Sequence, residues 1–440
     1  MASLLIRGGT ILTMNDRFDT VQGDVLIRDG RIEAVGLVDA ARHNTILDAS
    51  GALVLPGFIQ THIHLCQTLF RGFADDLALI DWLRTRIWPM EAAHTPASLR
   101  ASARLAACEL LSGGTTSVLT METVHDTEAV FEEVAASGLR AVVGKCLMDA
   151  DAAVPGRLLQ PARAAIDESL DLHHRWDGAA GGRIRAAFAP RFAVSCSRGL
   201  LEEVGTLSAS RGVLVHTHAS EQQAEIAIVE RQTGKRNIEY FEAIGLASER
   251  LCVAHCVWVD EREQDILRSR RVKVLHCPGS NLKLGSGIAP VAELRRRGVS
   301  VSLGADGAAC NNRLDMFEEM RLAAVLQSVR QGPGALPARD AVWMATREGA
   351  RALGLEADIG SVEPGKRADL IVVGLDRPHL APGPDPYSTL VYAARGTDVR
   401  HTVVDGQVLV RDSCPVYLDP AEVVADARRE AAALLARADI

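Results

Sequence analysis

The chain has 440 residues, 48% hydrophobic and 24% charged, with a formal charge of −8 and a pI near 5.9. That composition can fill a sizeable core and excludes a disordered chain. The acidic balance without a long Lys/Arg run argues against a nucleic-acid partner. No stretch approaches the roughly eighteen apolar residues of a membrane span, so no membrane partner is expected. The opening "MASLLIRGGTILTMND" lacks the pattern of a cleaved leader. Nine scattered cysteines, an odd number, read as free thiols in a reducing cytoplasm.

In chain order, "SLLIRGGTILTM" and "DVLIRDGRIEAVG" read as strands, the second with Asp29-Gly30 at a hairpin turn. A near-echo stands at the other end, in "RADLIVVGL" and "HTVVDGQVLVRD", with Asp405-Gly406 at the turn. Each end alone has too few strands to bury a face, so one small β-sandwich built from both termini is expected. Between them, apolar runs near 54–64, 114–120, 140–147, 184–190, 212–219, 250–256, 271–276 and 299–305 alternate with helical stretches such as "SRGLLEEVGTLSASRG". Eight strands alternating with helices predict an α/β fold, a (β/α)₈ TIM barrel. The expected organisation is sandwich over 1–55, barrel over 56–358, sandwich again over 359–415 and a terminal helix over 416–440.

In such a barrel the functional residues sit at the strand C-termini. Strand 1 ends in His62 and His64, whose i, i+2 spacing turns both to one side. Strand 5, "GVLVHTHASE", ends in His216, His218 and Glu221; strand 6 ends in His255, strand 7 in His276 and strand 8 in Asp306. Histidines placed for packing alone would not all choose strand ends. Three imidazoles and a carboxylate, His62, His64, His218 and Asp306, suit one divalent ion, most simply zinc (Zn2+), with a position open for water. Such an ion makes a hydroxide nucleophile near neutral pH. Glu221, three residues past His218, is placed to carry the proton, and His255 to polarise the water or the leaving group. Strand 4 supplies no lysine to bridge a second ion, and Lys145 falls on strand 3, so one metal is expected.

The segments "PGFIQTHIHL", "HASE", "AHC", "HCPGSNLKLGSGIAP" and "GADGAACNN" resemble the amidohydrolase superfamily, in its aminohydrolase branch of deaminases and triazine chlorohydrolases. The resemblance implies metal ligation by His62, His64, His218 and Asp306, and proton transfer by Glu221 and His255, with Asp306 sharing in catalysis. Iron (Fe2+) accepts the same ligands. "SNLKLGSGIAPV" and "GADGAACNNRLDMFEEMRLA" are most similar to 5′-methylthioadenosine/S-adenosylhomocysteine deaminases and 5′-deoxyadenosine deaminases. This implies a hydrolytic deaminase acting at C6 of a 5′-modified adenosine, cytoplasmic and homo-oligomeric. By the same resemblance Glu91, in "IWPMEAA", holds the ribose hydroxyls, and Trp88 beside it either covers the purine or packs in the core. Arg191 and Gln67 instead match base-contacting residues of guanine deaminase; Arg191 could equally pair with a local carboxylate. Lys145 and Arg157 stand where relatives that accept S-adenosylhomocysteine have arginines, and lysine is the poorer carboxylate clamp. The alternatives are guanine or 8-oxoguanine deamination, triazine hydrolysis, or a scaffold that kept the fold and lost the metal, which would have no need of all five site residues.

Overall fold

The apolar run "ALVLPGFIQTHI" serves two sheets rather than one. The computed structural model describes residues 3–38, 45–150 and 153–440. In it, Ala52–Pro56 pairs antiparallel with Leu370–Gly374, whereas Phe58–Ile63 (β1) opens a parallel barrel. The change happens across one peptide unit: the Gly57 amide donates to Asp369 O at 2.9 Å and the Phe58 amide to Gly114 O at 3.0 Å.

The barrel continues through Thr115–Met121 (β2), Arg140–Leu147 (β3), Ile184–Pro190 (β4), Val215–Ala219 (β5), Leu251–His255 (β6), Lys273–His276 (β7) and Val301–Leu303 (β8). Each strand pairs in parallel with its sequence neighbours, the order expected of right-handed βα units. The last strand returns to the first. Thr61 Oγ1 donates to Leu303 O at 2.9 Å, and the Asp306 amide to His62 O at 3.0 Å. Gly304 permits that approach, since a Cβ there would stand 2.6 Å from His62 O.

Both termini contribute to the second sheet, a mixed sheet of nine strands with its own apolar core, including Ile6, Val25, Val54, Leu370 and Val403. Its two hairpins turn as the sequence predicts. Asp29 and Gly30 have φ of 49° and 79°, Asp405 and Gly406 of 52° and 76°, positive at both central positions as a type I′ turn requires. The tips touch: a Cβ on Gly406 would meet Gly30 Cα at 2.7 Å. The terminal helix, Pro420–Ala438, lies against the helix Pro96–Ser112, held by an Arg104–Asp426 ion pair at 3.3 Å. Eight of the nine free cysteines are buried. Among the described residues no helix is long and apolar enough to cross a membrane.

A buried ion pair joins the two parts. Arg140, at the start of β3, donates from Nε and Nη2 to the Asp369 carboxylate at 2.6 and 3.0 Å, and Asp369 also accepts the Asp405 amide at 2.8 Å. Both side chains are almost fully buried, so losing one partner leaves an uncompensated charge. Asp369→Ala is expected to cost about 3–5 kcal/mol, read as a drop in the denaturant midpoint. A loss below about 1 kcal/mol, the range of an exposed pair, would show the pair to be solvated.

Candidate metal centre and active site

The strand ends of the barrel bring the histidines of β1, β5 and β6 to one point. The ring of His62 is within 5.4 Å, centroid to centroid, of those of His64, His216, His218 and His255. Asp306, just past β8, places Oδ1 3.2 Å from Nε2 of both His62 and His64, and the Nε2 atoms of His64 and His218 are 3.3 Å apart.

The tautomers follow from what lies behind each ring. His64 Nδ1 and His218 Nδ1 meet the backbone carbonyls of Met121 and Arg191 at 2.7 and 2.6 Å. A carbonyl only accepts, so both Nδ1 atoms carry the proton and both Nε2 atoms point a lone pair inward. His62 is set by a relay: His216 Nδ1 donates to Thr120 O at 3.2 Å, leaving His216 Nε2 to accept from His62 Nδ1 at 2.7 Å. Burial pushes the His62 imidazole down to about 4 and holds those of His216 and His218 well below the ordinary value, so all three remain neutral. Three lone pairs and a carboxylate oxygen thus face one another, and buried His62 Nε2 has no hydrogen-bond partner. Without a cation this arrangement is repulsive; with a divalent ion it is a nitrogen-rich ligand set of the zinc type. Among the described residues two clusters could hold an ion, His62–His64–His218 and His62–His255–Asp306, and they share His62.

Beside it stands Glu221, buried, with Oε1 accepting from Ser286 Oγ at 3.2 Å and Oε2 3.5 Å from His255 Nε2. Burial raises the Glu221 carboxyl above its usual range, as a proton carrier near neutral pH requires. For His255 burial lowers the imidazole, but the carboxylates of Glu221 and Asp306 more than offset it and the net shift is upward. Its Nδ1 bonds Asn281 Oδ1 at 2.9 Å. Ser220, His255 and Asp306 all adopt positive φ, of 56°, 74° and 64°, a strained backbone kept where it aims functional side chains.

A cavity opens on this cluster. Leu79, Trp82 and Leu83, from the helical segment after β1, line one side, with Phe192 and Leu284 further round. Gln67 and Arg191 also line it. Glu91 does not: its carboxylate accepts from Arg191 Nη1 at 2.7 Å and from Gln67 Nε2 at 2.9 Å, so the local carboxylate partner of Arg191 is Glu91. Three further candidates stand away from the cavity. Trp88 is buried in the core, and Trp82 is the tryptophan that lines the cavity instead. Lys145 is turned to Gln160 Oε1 at 2.8 Å and Glu168 at 3.5 Å. Arg157 is exposed and donates to His94 O at 3.2 Å. His276 ends β7 with neither ring nitrogen partnered and does not line the cavity.

Two supporting residues had no role assigned from sequence. His216 sits two residues before His218 on one face of β5, a spacing that signals its inward direction. Glu122 accepts the Leu65 and Cys66 amides at 3.2 and 2.9 Å and so fixes the turn after His64; nothing in the sequence marks it. Replacing His216 by Phe removes the acceptor that sets the His62 tautomer. It is expected to weaken metal affinity about 10- to 100-fold, measured by competition with a chelator. Unchanged affinity would show that His62 orients itself.

The amidohydrolase family model matches residues 53–409. A 5′-deoxyadenosine deaminase of Methanosarcina acetivorans is 41% identical, with the whole of both chains covered. A 5-methylthioadenosine/S-adenosylhomocysteine deaminase of Symbiobacterium thermophilum is also 41% identical, over 99% of this chain and all of its own. Among solved structures, a zinc-bound adenosine deaminase of Xanthomonas campestris superposes with a TM-score of 0.93 at 33% identity, covering 99% of each chain. With the family model spanning most of its length and relatives aligned from end to end, the chain belongs to the amidohydrolase family.

Proposed function

We propose that the protein is a zinc-dependent aminohydrolase that replaces the C6 amine of a 5′-modified adenosine, 5′-deoxyadenosine or 5′-methylthioadenosine, by oxygen and releases ammonia. The observation that carries this reading is the buried Glu221, not itself in the lone-pair cluster, set against three inward-facing imidazole nitrogens and a carboxylate. The full-length likeness to deaminases of such nucleosides supports the substrate class.

His62, His64, His218 and Asp306 would hold the ion, which supplies a hydroxide equivalent from water at neutral pH. Glu221 accepts the proton of the attacking water and delivers it to ring N1, which makes C6 electrophilic. His255 and Asp306 then pass the second proton to the departing amine, so that water and a C6–NH2 group become a C6 carbonyl and ammonia. Phe192, Leu79 and Leu83 supply an apolar surround that keeps bulk water from the reacting carbon.

The 5′ group is read from what the cavity lacks. Lys145 and Arg157, which stand where relatives that accept S-adenosylhomocysteine have arginines, are both engaged elsewhere. A charge-assisted hydrogen bond contributes about 1.5–3 kcal/mol, so its absence disfavours a zwitterionic tail. The guanine reading would use Arg191 as a donor to the base, and Glu91 takes two of its five N–H groups.

Zinc-loaded protein is expected to release ammonia from 5′-deoxyadenosine and 5′-methylthioadenosine with kcat/KM about tenfold or more above that for S-adenosylhomocysteine. Guanine and 8-oxoguanine should be poor substrates, and turnover of either in preference to the nucleosides would overturn the assignment. Glu221→Gln should lower kcat by about 10²- to 10⁴-fold with metal content unchanged. A variant that keeps its turnover would remove Glu221 from the proton path.

A further inference from the structure

Glu319 is a buried carboxyl without a counter-charge. It sits in the first turn of the helix Met316–Gln331 and is fully enclosed. Oε2 accepts from the Gly279 amide at 3.0 Å and Oε1 from Asn311 Nδ2 at 2.7 Å, and among the described residues no cation pairs with it. Burial pushes the carboxyl up to about 8, against the pull of those two donors. Burying such a group is costly, and packing alone would be served better by an apolar side chain. The two donors explain the choice. A carboxylate accepts from both, whereas an amide of the same shape accepts at one end and donates at the other. Gly279 permits the approach, since a Cβ there would stand 2.6 Å from Glu319 Oε1.

The donors belong to different loops, and each loop reaches the metal centre. Gly279 lies on the short helix Pro278–Lys283 after β7. The next two residues of that helix serve the site: Ser280 Oγ donates to Asp306 Oδ2 at 2.6 Å, and Asn281 Oδ1 meets His255 Nδ1 at 2.9 Å. Asn311 lies past β8, and its Nδ2 also donates to Ala305 O at 2.7 Å, one residue before Asp306. Each oxygen of Asp306 thus has its own direction, Oδ1 toward His62 and His64 and Oδ2 toward Ser280. We propose that Glu319 is a positioning residue, which clamps the loop after β7 to the loop after β8 and so fixes, through Ser280 and Asn281, the Asp306 carboxylate and the His255 ring. Glu319 itself does not line the cavity, so its effect passes through the two loops. This role presupposes the metal-dependent deaminase reading, with Asp306 as a ligand, but not the identity of the nucleoside.

The test compares wild type, Glu319→Gln, Gly279→Ala, Ser280→Ala and the double variant Glu319→Gln/Ser280→Ala. Glutamine keeps the shape of Glu319 but turns a donor on one of the two N–H groups, and alanine at position 279 displaces the carboxyl from the other side. Affinity for cobalt(II), measured by chelator competition, should fall about 10-fold in each single variant. The visible d–d bands of the bound cobalt should shift, because the Asp306 carboxylate turns. The double variant should be no worse than the poorer single one, as expected of residues acting in series. In zinc-loaded protein, kcat for 5′-deoxyadenosine should fall by a similar factor with KM little changed. A purely structural Glu319 would lower the melting temperature and leave cobalt affinity and bands as in wild type, and that result overturns the proposal. Losses that multiply in the double variant overturn it too, since Glu319 would then act by a route that avoids Ser280. If Glu319→Gln does not fold, Gly279→Ala paired with Ser280→Ala carries the same comparison. Failure of wild type to deaminate the nucleoside would instead defeat the deaminase reading, while the cobalt affinity and bands still decide the role of Glu319.

Discussion

Three imidazole lone pairs aimed at one point are the constraint on which the site depends. Each is aimed from behind, by a backbone carbonyl or by a histidine that is itself held by one. Met121 O, Arg191 O and Thr120 O lie at or just past the ends of β2, β4 and β2 again. The barrel backbone therefore selects the tautomers, and the side chains only transmit the choice. A hydrogen bond tolerates an error of a few tenths of an ångström, so the strand ends must close with similar accuracy. The contacts between β8 and β1, with Gly304 against His62, supply that closure at the strand carrying two of the histidines.

The mixed sheet contributes by anchoring the other end of the barrel. The amides of Gly57 and Phe58 serve different sheets, so β1 enters the barrel from a fixed origin six residues before His64. The Arg140–Asp369 pair does the same for β3 through Asp405, next to the point where the two hairpin tips meet. Desolvating two charges is costly and adds little net stability. The pair ties the start of β3 to the strand Leu370–Gly374 of the mixed sheet.

The cavity wall is a second, separate piece of preorganisation. One carboxylate, Glu91, orients an amide from the loop after β1 and a guanidinium from the end of β4. Lys145, on the strand paired with β4, is turned to Gln160 and Glu168. The polarity of the wall is thereby set by hydrogen-bond direction more than by net charge, which fits an uncharged ligand.

Much of this was legible in the sequence, and for definite reasons. Strand periodicity, the Asp-Gly turns and the alternation of strands with helices are local, so they predicted the barrel and a small β-sandwich from both termini, which the structure builds as one mixed sheet. The i, i+2 spacing on β1 and the strand-end positions of His218, His255 and Asp306 are also local, since a barrel gathers its strand ends on one face. What the sequence could not decide were matters of pairing across long separations. Whether Arg191 meets Glu91 or a ligand depends on 100 residues of intervening chain. Which of Trp82 and Trp88 faces the cavity depends on how the helical segment after β1 settles on the barrel mouth. Lys145 and Arg157 have the right charge, but charge carries no direction, and the groups that claimed them, Gln160, Glu168 and the His94 carbonyl, come from other segments of the chain. Residue type and spacing determined which chemistry the chain could assemble, and only tertiary packing decided which polar groups remained free to meet a substrate.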